Sequence, residues 1–196
     1  MSALKWDLQR GTWEDAHSWL GKELSRFTGA DPVGFGDMRR RLEVLAWDCP
    51  LHYDEEVARQ YGYATVVAPT AMLMTWAMPP YWAPGDPRPG LDSPVKLPPY
   101  PGVRIPAPGD SMFATYSETE YHEPVYPGDR ITGSSKLVEI TRKRLSVGDG
   151  AFFTIETTYT KQTGEVVGVE RLTLFRYTSE GGDAPATPVG REGGRE

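Results

Sequence analysis

Between Thr12 and Phe27 the apolar residues Trp13, Ala16, Leu20, Leu24 and Phe27 recur at three- and four-residue spacing, which predicts a helix filling most of a lead-in over residues 1–35. The glycines and Pro32 of the stretch from Gly29 to Gly36 break it. A second helix is expected from Asp37 to Ala46, with Met38, Leu42 and Leu45 on one face and Arg39, Arg40 and Glu43 on the others. A third, short helix is expected over residues 54–60, where Asp54 can cap the first turn and Glu55 and Glu56 sit at the positive end of the dipole. Pro69 suits the first turn of an apolar helix that stops at Pro79 and Pro80. Residues 79–110 are too rich in proline for central strands and read as a long ordered loop or flap.

After Ser111 the pattern changes to alternation, with β-branched and aromatic residues, in four runs: Met112 to His122, Arg130 to Leu145, Ala151 to Lys161 and Glu165 to Tyr177. Breaks at residues 127–129, 148–150 and 162–164 separate them, so successive strands are expected to pair as an antiparallel meander. Helices first and strands afterwards argue an α+β class, with one apolar helix available for a curved sheet to wrap. The polar Gly/Pro stretch 179–196 reads as a disordered tail, leaving 36–178 as the folded domain.

Composition narrows the function. Hydrophobic residues at 39% and charged residues at 24% fit a globular domain with a real core. A net charge of -6 excludes a broadly basic surface, so nucleic acid is not an expected partner. One cysteine, Cys49, rules out an intrachain disulfide framework, and a reducing cytoplasm is the expected compartment. Residues 62–85 carry no charge, but Pro69, Pro79, Pro80 and Pro84 leave room for only about ten uninterrupted helical positions, half of what a membrane span needs.

Four motifs then occur in order: AWDCPLHYDEEVAR at 46–59, VVAPTAML at 66–73, HEPVYPGD at 122–129 and YTKQTGEVV at 159–167. In this order they resemble the MaoC-like (R)-specific enoyl-CoA hydratase/dehydratase family. GKEL at 21–24 and DPV at 31–33 further resemble its N-terminal FAS1-like dehydratase subgroup of actinobacterial acyl-CoA and steroid side-chain degradation. The resemblance covers roughly residues 12–178. It implies a hot-dog fold and reversible hydration of a 2-enoyl thioester to a 3-hydroxyacyl thioester, with no metal and no other cofactor, the thioester being carried by CoA or an acyl carrier protein. It also implies pairing, as a homodimer or as a heterodimer with a smaller hot-dog subunit, because a lone sheet leaves an edge uncovered.

In that chemistry an Asp and a His share a water, and helix-start N–H groups receive the charge developing on the thioester oxygen. The resemblance carries these roles to His52 and Asp48 as catalytic residues. Substrate binding is expected at Thr70, Ala71, Met72 and Trp76 on the central helix and, from the aromatic content of Tyr81, Trp82 and Tyr100, in the proline-rich segment, which is expected to cover the acyl end of the tunnel. Pro69 has no N–H, so Thr70 or Ala71 would supply the donor. The register departs at one place: the family's Asp falls on Trp47, and Asp48 stands one residue closer to His52 than the family spacing. Either the backbone bulges to restore Asp48, or the subunit uses another group, or it is a catalytically degenerate acyl-thioester-binding partner that shapes the tunnel of an active one. A hot-dog thioesterase is disfavoured by the Pro-Leu-His motif. His17 and His122 read as structural, the methionines at 72, 74 and 78 as core or as a flexible acyl lining, and Arg142 to Arg144 as a solvated strand face.

Overall fold

A computed structural model describes residues 8–80, 82–87 and 101–179. Its elements are α1 (Trp13–His17), β1 (Glu23–Thr28), α2 (Phe35–Leu45), a 3-10 turn at Pro50–His52, α3 (Glu55–Gln60), a 3-10 turn at Thr70–Met72 running into α4 (Leu73–Ala77), a 3-10 turn at Pro101–Arg104, then β2 (Ser111–Tyr121), β3 (Ile131–Leu145), β4 (Gly148–Lys161) and β5 (Val166–Ser179). The five strands form one antiparallel sheet in the order β1-β3-β4-β5-β2. This sheet, curved against a short central helix, is the hot-dog fold. Among the described residues no helix is long and apolar enough to cross a membrane.

Three expectations change. The lead-in helix ends at His17, and Leu24 and Phe27 belong to β1. Gly21 takes a left-handed φ of 75° and donates its N–H to the Leu137 carbonyl, which turns the chain onto the free edge of β3. The strands are not a simple meander either. Only β3, β4 and β5 follow one another, while β2 crosses to the far edge and pairs with β5. Finally, the reversal between β3 and β4 is the two residues Ser146 and Val147, so Gly148 and Gly150 lie inside β4. They are glycines for want of space: a Cβ on either would stand 2.2 Å from a β5 carbonyl oxygen.

Alternation along β4 turns Ala151, Phe153, Ile155, Thr157 and Tyr159 to one face. That face carries two apolar clusters. α4 covers one of them, with Leu73, Trp76 and Ala77 over Ile131, Tyr159 and Val167. The α-helical part of the expected 69–78 helix is too short to reach the rest, and there Ala16 of α1 with Ile105 and Ala107 closes over Leu137, Phe153, Ile155 and Leu174. The proline-rich segment therefore contributes core at its end; Tyr81 and residues 88–100 lie outside the described residues, as does the tail from 180 onward. Between the clusters the face is polar. Ser135 and Thr157 share a buried hydrogen bond of 2.8 Å, and the Tyr159 hydroxyl donates to Glu170 at 2.7 Å.

On the opposite face, ladder partners Lys136, Glu156, Arg171 and Glu118 form a row of alternating charge across four strands. Lys136 Nζ stands 2.9 Å and Arg171 Nη2 3.0 Å from the Glu156 carboxylate. The Lys136 bond first, and Arg171 after it, hold the Glu156 carboxyl below its ordinary value of 4.5 against the opposing cost of burial. A carboxylate with a lowered folded pKa adds stability that is complete above the unfolded value and is lost as the pH falls through the folded one. Acidification from about pH 6 to about pH 3 is therefore expected to lower the melting temperature of the wild type more than that of Glu156→Gln. Equal losses, followed by calorimetry, would contradict this.

Candidate functional site

α2 ends where Ala46 adopts a left-handed φ of 47°, and Trp47 N–H closes the helix by donating to the Leu42 carbonyl at 3.0 Å. The chain then runs extended to Cys49, and Pro50, with its fixed φ, starts the turn that ends at His52. Asp54 accepts from the N–H groups of Glu56 and Val57, as expected of a cap, and α3 follows. The Val67 N–H donates to the Leu51 carbonyl at 2.9 Å, so the segment leading to the central helix is stitched to the turn.

This stitching fixes His52. Its ring is buried, 9% exposed, and Nδ1 lies 2.7 Å from the Val67 carbonyl oxygen. A carbonyl only accepts, so Nδ1 is the donor of this bond, and in the neutral form of the ring that tautomer leaves the lone pair on Nε2. Trp47 packs edge-on against the imidazole, with centroids 4.8 Å apart. Among the described residues no carboxylate is hydrogen-bonded to His52. Asp48 is exposed and accepts a hydrogen bond from the Tyr53 hydroxyl, which pushes the Tyr53 pKa above the usual phenol value. The two residues that sequence reasoning paired are thus engaged with different partners.

Two cavities flank α2. One, of about 440 Å³, is lined by His52 and Tyr53 and by α2 residues including Phe35, Met38 and Leu42. The other, of about 510 Å³, lies between Arg40, Arg41 and Val44 of α2 and Ala71, Met72 and Trp76 of the central helix. The helical period of α2 explains the division, since residues 37, 40, 41 and 44 share one face and 35, 38, 39 and 42 another. Three of the expected binding residues, Ala71, Met72 and Trp76, therefore meet in one groove, and His52 stands across α2 from them. Thr70 and Trp82 line neither cavity, and Tyr81 falls outside the described residues. The N–H groups of Thr70 and Ala71 make none of the backbone hydrogen bonds among the described residues. Sequence reasoning missed the part played by α2. Its signal was two unlike faces on one helix, with Arg39 paired to Glu43 at 2.6 Å while Arg40 and Arg41 have no carboxylate within ion-pair distance among the described residues. Arg142, read as solvated, caps the Trp13 ring at 5.0 Å.

The family described as "FAS1-like, dehydratase domain region" matches residues 18–169. A probable enoyl-CoA hydratase alpha subunit from Thermomonospora curvata is 35% identical over 164 residues, covering 82% of this chain and 50% of that protein. The 3-oxo-4,17-pregnadiene-20-carboxyl-CoA hydratase alpha subunit of Mycobacterium tuberculosis is 30% identical over 123 residues, covering 62% of this chain and 38% of the relative. The chain thus spans half or less of the length of these curated relatives. In the crystal structure of the ChsH1-ChsH2 complex from Mycobacterium tuberculosis, one chain superposes with a TM-score of 0.66 at 22% identity, over 87% of this chain and 93% of its own length.

Proposed function

The chain belongs to the FAS1-like dehydratase region family, and from that membership we propose that it is a subunit of a hydratase/dehydratase interconverting 2-enoyl and 3-hydroxyacyl thioesters. The observation that carries the reading is the histidine: Nδ1 is committed to the Val67 carbonyl, and Nε2 is without a protein hydrogen-bond partner among the described residues. In hydration Nε2 takes a proton from the water whose oxygen bonds to C3, the electron pair of the double bond moves toward the thioester carbonyl, and Nε2 then returns the proton to C2, which regenerates the neutral imidazole. The Val67 carbonyl steadies the imidazolium that forms in between. The N–H groups of Thr70 and Ala71 are the available donors for the thioester oxygen. Water and enoyl thioester balance the product, so the reaction calls for no oxidant or reductant.

A second reading has its own support. Trp47 stands against His52, and the Asp48 carboxylate is taken up by Tyr53, which suits an acyl-binding half that completes an active partner. Either way the assembly needs a second subunit. β2 is an exposed edge strand of eleven residues, with Phe113, Tyr116 and Tyr121 open to solvent, the kind of edge that another chain covers. A second copy or a smaller hot-dog chain would fit it, with CoA or an acyl carrier protein bearing the substrate.

The test is to follow loss of the conjugated enoyl absorbance with crotonyl-CoA and with a bulkier enoyl-CoA, using the chain alone and in whatever complex co-purifies with it. Hydration by either preparation supports the reading. If neither hydrates an enoyl thioester and neither binds a CoA ester, it is wrong.

A further inference from the structure

Resting on the hydratase reading above, we propose that the Tyr53 phenol oxygen is the second acceptor for the attacking water, beside His52 Nε2, and that Asp48 is a positioning residue acting through Tyr53. The argument begins with what the water must do. It attacks C3 with a lone pair, so its two protons are best directed at acceptors on the protein. His52 Nε2 accepts one of them and removes it. The other O–H bond survives as the hydroxyl of the product, and its partner therefore has to accept a hydrogen bond without taking the proton. A neutral phenol oxygen does that.

Tyr53 meets the requirement in three respects. It follows His52 directly and closes the same 3-10 turn, its N–H donating to the Pro50 carbonyl at 3.2 Å while that of His52 donates to the Cys49 carbonyl at 3.1 Å. Both residues line the cavity of about 440 Å³ beside α2. The Tyr53 hydroxyl proton is given to the Asp48 carboxylate, which leaves only lone pairs for any further partner. That same bond raises the phenol pKa above its ordinary value of 10, so Tyr53 keeps its proton at neutral pH. The rest of the cavity offers a water few acceptors. Phe35, Met38 and Leu42 are apolar, and Glu43 is held by Arg39 at 2.6 Å. An enclosed water takes roughly two to four polar partners, so one seated at Nε2 finds its second acceptor in the phenol.

The shifted register thereby acquires a role. Asp48 stands one residue closer to His52 than the family spacing and does not bond the imidazole. It reaches the reaction through one intervening side chain, since the carboxylate fixes the hydroxyl proton and the phenol oxygen fixes the water. In the hydration step one O–H bond of the water breaks toward Nε2 and the O–C3 bond forms. The second O–H bond stays intact against Tyr53 Oη, and no proton leaves the pair of Asp48 and Tyr53.

Hydration of crotonyl-CoA, or of the bulkier enoyl-CoA if only that is turned over, tests this with the chain or its complex. Tyr53→Phe is expected to lower kcat about tenfold to thirtyfold, through one lost hydrogen bond and the looser placing of a reactant. KM for the enoyl thioester, and the inhibition constant of its saturated counterpart, should stay within about twofold of wild type, because neither thioester contacts the phenol oxygen. Asp48→Asn keeps an oxygen that accepts from the phenol and should lose no more than several-fold. Asp48→Leu frees the hydroxyl to turn its proton on the water and should lose nearly as much as Tyr53→Phe. Both positions are exposed, so the fold is not at risk. A fall in kcat of less than about threefold in Tyr53→Phe, a loss expressed in KM alone, or equal rates for Asp48→Asn and Asp48→Leu overturns the proposal and leaves the hydratase reading standing. If the wild type hydrates neither enoyl thioester, alone or in its complex, the two fall together.

Discussion

Replacing His52 with alanine is expected to lower turnover of the assembled hydratase on the order of a hundredfold or more, because a positioned acid or base contributes about 10² to 10⁴ to such reactions. Among the described residues that line this cavity, the one carboxylate, Glu43, is already paired. The residues sharing the cavity with His52 are apolar, an exposed tyrosine, or charged groups of α2, of which Arg39 and Glu43 are paired to each other. Asp48→Asn is expected to act far more weakly, changing turnover by no more than several-fold, since the carboxylate is exposed and spends its hydrogen bond on Tyr53. The Tyr53 phenol keeps a neutral acceptor in that variant, so the turn itself should survive. Steady-state rates with a conjugated enoyl thioester decide the matter. Full activity of His52→Ala once mixed with the partner would show that this chain is the acyl-binding half.

The second large effect is on stability. Arg176 of β5 is 1% exposed, and its guanidinium donates to the carbonyls of Ile105, Gln9 and Ala107, each at 2.7 Å, with Gly109 at 3.3 Å. Burial, and after it the repulsion of Arg10, pushes its pKa down to about 10, so it remains charged at neutral pH. No carboxylate pairs with it among the described residues; the backbone alone holds the charge. In doing so it ties the chain start and the strap around residues 105–109 to the sheet, over the second apolar cluster. Arg176→Met would leave those carbonyls without their donor and should cost on the order of 3 to 5 kcal/mol. Arg176→Lys should recover little, because an ammonium cannot reproduce the planar fork that reaches several carbonyls at once. Urea unfolding gives the figure, and a loss under about 1 kcal/mol would refute the assignment.

What could be read from the chain was what its neighbours in sequence decide. The Asp54 cap, the start of the central helix after Pro69 and the four long strands depend on spacings of a few residues, and all are present. Leu24 and Phe27 misled because their spacing suits a helix, while the partner that makes them a strand, β3, lies about a hundred residues on. The pairing of β2 with β5 failed for the same reason, as two intervening strands separate them in sequence. At the site, the Pro-Leu-His turn was plain as a motif, but the Val67 carbonyl that orients the imidazole is fifteen residues away and carries no signal in its own side chain. The unmet N–H of Trp76 was beyond reach as well. In sequence that residue is one more apolar member of a core helix, and only the packing shows that its indole has nowhere to donate.

α2 has a consequence for how such a protein diversifies over generations. Its eleven residues turn one face to the histidine and another to the groove, with Met38 as their only buried member. Mutations along most of this segment therefore escape the purging that guards a tightly packed interior. They also fall into two sets, so drift at 40, 41 and 44 can remodel what the groove accepts while 35, 38 and 42 preserve the surroundings of the imidazole. A lineage carrying such a helix can inherit one chemistry and acquire new tastes around it, through changes in a stretch short enough to be exchanged as a single cassette.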